Sequence, residues 1–102
     1  SLDAILHEDF ASLRAAREAE DRRIIAFVEG LDEAAVAGRF TYTTMTDLRT
    51  VSQRLAPALS HFFNHQTHHR GQAHMILSVL GRTPPDMDMI QFHRTPEGRR
   101  FA

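Results

Sequence analysis

The sequence predicts an all-α chain built on two long helices, about residues 9–29 and 54–80, with a candidate short β-hairpin between them. Two observations predict this. Apolar residues recur at 3- and 4-residue spacing, which places them along one side of a helix. Glycine and proline fall where such helices must stop or start, at Gly30, Pro57, Gly81 and Pro84-Pro85. A third observation concerns chemistry: four of the seven histidines lie within nine residues, from His61 to His69.

The lead Ser1 to His7 carries one isolated histidine with no second at a ligand spacing. Glu8 and Asp9 then form an acidic opening, which suits the positive end of a helix dipole. In the first helix Phe10, Leu13, Ile24, Phe27 and Leu31 form the apolar stripe, and Gly30 closes it. The middle of that stripe lands on Arg17 and Glu20, and charges on a core-facing line need partners. Asp21, one turn beyond Arg17, is the nearest candidate, against a supporting role at the histidine cluster.

Leu31 to Val36 reads as a short Ala-rich turn before Gly38. Arg39 to Thr43 alternates polar and aromatic residues as a strand would, Thr46-Asp47 is a turn signal, and Leu48 to Val51 is the expected return strand. Proline is tolerated only in a first helical turn, so Pro57 starts the second long helix near Ser52 to Ala56. Gly81 is its expected C-cap and Thr83 to Asp86 a loop. Met87 to Phe92 is compatible with one docking turn, and Thr95 to Ala102 is expected to be a frayed basic tail.

On a helical wheel, Ala58, Phe62, His65, His69, Ala73, Ile76 and Leu80 share one face, with Gln72 at its edge. His65 and His69 are thus expected to point into a packed interior, with His74 turned away and His68 at the margin. A neutral imidazole in an apolar face needs partners for its nitrogens, and one metal ion would satisfy a nitrogen of each ring at once. Histidines serving as ordinary packing residues are the alternative. Residue 66 is Gln where zinc proteases carry the Glu general base, so the pattern suggests a metal site and not a metalloprotease. Three ligands on one straight helix, His61 included, would span about 12 Å of rise. His61 therefore reads as a neighbour of the site or a surface residue.

Composition excludes several classes. A chain of 102 residues allows one small domain, 1–102, near the lower limit for a complete enzyme, so help from a partner is expected. With 12 basic and 13 acidic residues and no basic block, nucleic acid is not an expected partner. No cysteine is present, so any ligands must be His, Asp or Glu. No apolar run reaches the roughly 20 residues of a membrane span, and a cytoplasmic protein is expected. The chain begins with Ser1, which suggests processing or a longer parent protein.

The string Phe63-Asn64-His65-Gln66-Thr67-His68-His69-Arg70-Gly71-Gln72, followed by Gly81 and Pro84-Pro85-Asp86, resembles the C-terminal helix and loop of the DinB (damage-inducible) family. The likeness extends less distinctively through Leu13 to Glu18 and Phe40 to Tyr42, so it covers most of the chain. The resemblance implies a four-helix bundle whose metal is held by three histidines, two from this helix. By motif position these are His65 and His69. The third would come from an earlier helix, so the chain looks like the back half of the family domain. His7 matches nothing in the motif. A homodimer, or a separate N-terminal fragment, would rebuild the bundle. The resemblance further implies a divalent cation (Zn²⁺, Ni²⁺ or Fe²⁺) that activates a low-molecular-weight thiol or a water. The corresponding activity is a thiol S-transferase, isomerase or hydrolase-like reaction on a small-molecule substrate. Gln72 or Arg70 would position substrate, although Arg70 projects outward and suits an ion pair or helix interface. A non-catalytic metal-binding or dimerisation module, and a metal-free helical interaction domain, are the alternatives.

Overall fold

The computed structural model describes residues 3–102, and the first two residues of the expected lead lie outside them. The chain divides into two compact units, Ser1–Ser60 and His61–Ala102. In chain order the elements are α1 (Phe10–Glu29), α2 (Glu33–Ala37), β1 (Arg39–Thr43), β2 (Thr50–Arg54), α3 (Leu55–Val79) and α4 (Met89–His93), then a 3-10 turn at Arg99–Phe101. The two long helices thus lie within a residue or so of their expected spans. Among the described residues no helix is long and apolar enough to cross a membrane.

α1 begins where Asp9 caps it. The Asp9 carboxylate accepts the Ser12 backbone N–H at 2.8 Å and the Ser12 hydroxyl at 2.5 Å, satisfying one of the free donors of the first turn. The hydroxyl, and then the backbone N–H, hold the Asp9 carboxyl below the usual carboxylate range. Along the helix Arg14 pairs with Glu18, Arg17 with Asp21 and Arg23 with Glu20, so Arg17 does meet the partner the spacing offers. The stripe is only partly covered: Ile24 and Leu31 are half-buried, while Phe10, Leu13 and Phe27 remain 77%, 50% and 54% exposed.

The Ala-rich turn is a short helix of its own, α2, capped by the Asp32 carboxylate on the Ala35 N–H. The hairpin exists, but its second strand is Thr50–Arg54 and not Leu48 to Val51. Leu48 sits at φ 54°, a left-handed conformation that ends extended pairing, and the Thr44 and Arg49 backbones close the loop at 2.9 Å. The strand then extends to Arg54 because five residue pairs are in register, from Thr43 opposite Thr50 to Arg39 opposite Arg54. Arg39 also donates to the Ser52 carbonyl at 2.8 Å, and Tyr42 donates to the Gln53 side chain at 3.2 Å. These cross-strand bonds hold Ser52 to Arg54 in the sheet, so α3 starts at Leu55, with Pro57 in its first turn.

α3 ends as the glycine predicts. Gly81 has φ +72°, its N–H bonds the Ser78 carbonyl at 3.0 Å, and the Arg82 N–H bonds the Leu77 carbonyl at 2.9 Å. This is the paired 5→2 and 6→1 closure of a Schellman motif. A Cβ at Gly81 would meet nothing within 4 Å, so the cost of Gly81→Ala is that of the backbone conformation alone. It should lower stability by about 1–2 kcal/mol, read as a shifted urea midpoint.

The C-terminal segment is ordered, not frayed. After α4, Thr95 Oγ1 donates to the Phe92 carbonyl at 2.8 Å and accepts the Gly98 N–H at 3.0 Å, and the Phe92 and Phe101 rings stack at 6.2 Å. Gly98 is the one buried residue among those described. No apolar side chain among the described residues is fully buried, so neither unit has a closed core of its own.

Candidate metal centre

The histidine run lies wholly within α3, and the helix is unbroken through it. One turn separates His65 from His69, and their Nε2 atoms approach to 2.9 Å with the rings nearly perpendicular. His69 Nδ1 lies 2.8 Å from Gln72 Oε1. An amide oxygen only accepts, so Nδ1 carries the proton and the His69 Nε2 lone pair is left free. The proton between the two Nε2 atoms therefore belongs to His65, which donates it to His69.

A cation at this position would be held by the same two nitrogens. Two imidazole nitrogens held about 2.1 Å from one ion lie about 3.0 Å apart at a right angle and about 3.4 Å apart in a tetrahedron. The observed separation of 2.9 Å is close to the first and shorter than the second. The donor set also fits chemically, because neutral imidazoles suit Zn²⁺, Ni²⁺ and Fe²⁺. Crowding that strips hydration from His65, and then the charges that His69, His61 and His68 would carry, hold its pKa below the ordinary histidine value. That direction disfavours the imidazolium, which cannot ligate.

The other histidines surround this pair. His61 stacks on His65 at 5.5 Å, and His68 lies 6.2 Å from His65 and 5.2 Å from His69, centroid to centroid. Arg70 donates to Thr67 Oγ1 at 3.1 Å, a local bond on the helix. No set of three His, Asp or Glu side chains among the described residues is grouped to hold an ion, and His7 completes none.

The expectation that His65 and His69 point into a packed interior is not met: both are exposed. The wheel places them correctly on a face with Phe62, Ile76 and Leu80, but those side chains are themselves 41%, 59% and 68% exposed. A helical wheel shows which residues share a face and not whether anything covers it. The role of Gln72 as the partner of His69 was not read from the sequence, although its i, i+3 spacing from His69 was the available signal.

The DinB family model matches residues 3–99. The chain belongs to the DinB family. No curated protein and no solved structure gives a match. In this DinB chain the pair that the motif singles out is also the pair whose ring nitrogens converge. Gln72→Leu should remove the acceptor that fixes the His69 tautomer and weaken Zn²⁺ affinity about 10–100-fold, measured by competition with a chromophoric chelator.

Proposed function

We propose that this DinB chain is a metal-dependent enzyme of the transferase or hydrolase type, acting on a small molecule with a low-molecular-weight thiol or water as nucleophile. The observation that carries the reading is the 2.9 Å approach of His65 Nε2 to His69 Nε2, with Gln72 fixing the tautomer of His69. His65 and His69 would hold the divalent cation, Zn²⁺, Ni²⁺ or Fe²⁺. A cation in such a site lowers the pKa of a bound thiol or water, so that the anion is available near neutral pH.

The chain's own residues would act as follows. To ligate through Nε2, His65 would carry its proton on Nδ1 instead, and His69 would keep its Nδ1 proton on Gln72. Gln66, which stands where a protease would carry Glu, cannot take a proton from a nucleophile, so this position supplies no general base. This favours a nucleophile that ionises easily, and a thiol does so more readily than water. The exposed stripes of α1 and α3 support completion of a four-helix bundle by further helical surface, which would exclude water from the site.

The test is addition of a low-molecular-weight thiol to an electrophile by protein purified without a His tag, with and without chelator. Metal-dependent turnover is expected. Turnover that survives complete metal removal, or its absence with the site filled, contradicts the enzyme reading. In the second case the protein is a non-catalytic metal-binding or dimerisation module.

A further inference from the structure

The hairpin sorts its side chains by chemistry. On one side Phe40, Val51 and Gln53 are half-buried, and Phe40 stacks on Tyr42 at 5.3 Å. The other side carries Arg39, Thr41 and Thr43 on β1, opposite Arg54, Ser52 and Thr50 on β2, and all of these are exposed. Residues two apart on a strand share a face, and so do residues directly opposite across strands. The surface they form is one of guanidiniums and hydroxyls. Every member donates hydrogen bonds and none is negatively charged.

The register brings the two arginines close. The Thr44 N–H bonds the Arg49 carbonyl at one end of the ladder, and the Leu55 N–H bonds the Gly38 carbonyl at the other. Counting inward from either bond, Arg39 and Arg54 fall at a non-hydrogen-bonded pair. In such pairs the Cα atoms lie about 4.5 Å apart and the side chains stand nearest each other. Like charges directly opposite weaken a sheet. The one acid between Gly38 and Pro57, Asp47, is taken by Arg49 and Thr44. Among the described residues neither arginine has an ion-pair partner. Arg39 is held by Ser52, donating to its hydroxyl at 3.2 Å and its carbonyl at 2.8 Å, whereas the Arg54 side chain has no hydrogen bond among them.

We propose that this face binds the phosphate monoester of a hydroxylated small molecule, with the phosphate held between Arg39 and Arg54. A monoester carries close to two negative charges at neutral pH and three terminal oxygens, so it balances both guanidiniums and matches their forked donors. A single carboxylate, with one charge and two oxygens, would occupy one fork and leave the other uncompensated. The contact of Arg39 with Ser52 fixes one fork before the ligand arrives. From the arginines, the hydroxyl pairs Thr41 with Ser52 and Thr43 with Thr50 continue for about 14 Å along the strands. They form a row of partners for the hydroxyls of the organic part. The face lies wholly within the unit Ser1–Ser60, and the proposal is independent of the metal reading of α3.

The experiment titrates untagged chain with inorganic phosphate and with glycerol phosphate at low salt, following backbone amide and arginine Nε–H signals by NMR. Glycerol phosphate should shift the signals of Arg39, Thr41, Ser52 and Arg54 and bind more tightly than inorganic phosphate. Added sodium chloride should weaken it. Arg54→Gln should lower the affinity about tenfold or more. In phosphate-free buffer the same variant should melt no lower than wild type, because it removes one of two opposed charges. Arg54→Lys, which keeps the charge without the fork, should restore only part of the affinity. Thr41→Val should reduce the preference for glycerol phosphate, and Arg82→Gln, an exposed arginine outside the hairpin, should bind as wild type does. Equal affinity for the two probes would overturn the monoester assignment in favour of free phosphate. No shift with either probe, affinity unchanged in Arg54→Gln, or equal weakening by Arg82→Gln would overturn the site.

Discussion

His65→Ala and His69→Ala should each abolish tight binding of a divalent cation. Loss of Gln72, which only orients a ligand, is expected to weaken affinity about 10–100-fold, and removal of a ligand itself should exceed that range. The two variants should behave alike, because either one leaves a single imidazole on α3 at the position where two nitrogens now lie 2.9 Å apart. His61→Ala should have a smaller effect, since His61 stacks on His65 without sharing the Nε2 contact. Competition for Zn²⁺ with a chromophoric chelator measures all three. Equal affinities for wild type and His65→Ala would contradict the assignment.

Gly98→Ala should release the C-terminal segment. A Cβ there would lie 2.0 Å from the Phe92 carbonyl oxygen and 2.6 Å from its carbon, both backbone atoms that no rotamer change can move aside. The 3-10 turn must shift, breaking the Gly98 N–H bond to Thr95 and the stacking of Phe101 on Phe92. Overpacking of this kind costs about 1–3 kcal/mol, and here it falls on a local segment. Trypsin should cut after Arg99 and Arg100 much faster in the variant, while the helicity of α1 and α3 is unchanged. Equal cleavage rates would show that the segment is already open.

How much of this was legible depended on the range of the interaction that fixes each feature. Helix ends are set by neighbours in sequence, so Asp9, Pro57 and Gly81 could be read directly, and the closure at Gly81 has the glycine conformation its position implies. The His65–His69 pair is equally local, because one helical turn brings i and i+4 together whatever else the chain does. The start of α3 was harder, since Ser52 to Arg54 are held in a strand by partners more than ten residues away. The ordered tail was missed although Thr95-Pro96-Glu97-Gly98 is a turn signal. Its stability comes from a backbone approach to Phe92 that composition does not reveal. The exposure of the histidine face was the least legible feature, because it depends on what lies opposite α3 and not on α3 itself.

The central claim is that His65 and His69 share one cation. Anomalous diffraction at the zinc edge, from crystals of untagged protein grown with Zn²⁺, tests it most directly. The account predicts a single strong peak about 2.0–2.1 Å from both Nε2 atoms, with Gln72 still on His69 Nδ1. A peak bound by one ring only, or located away from α3, would contradict it.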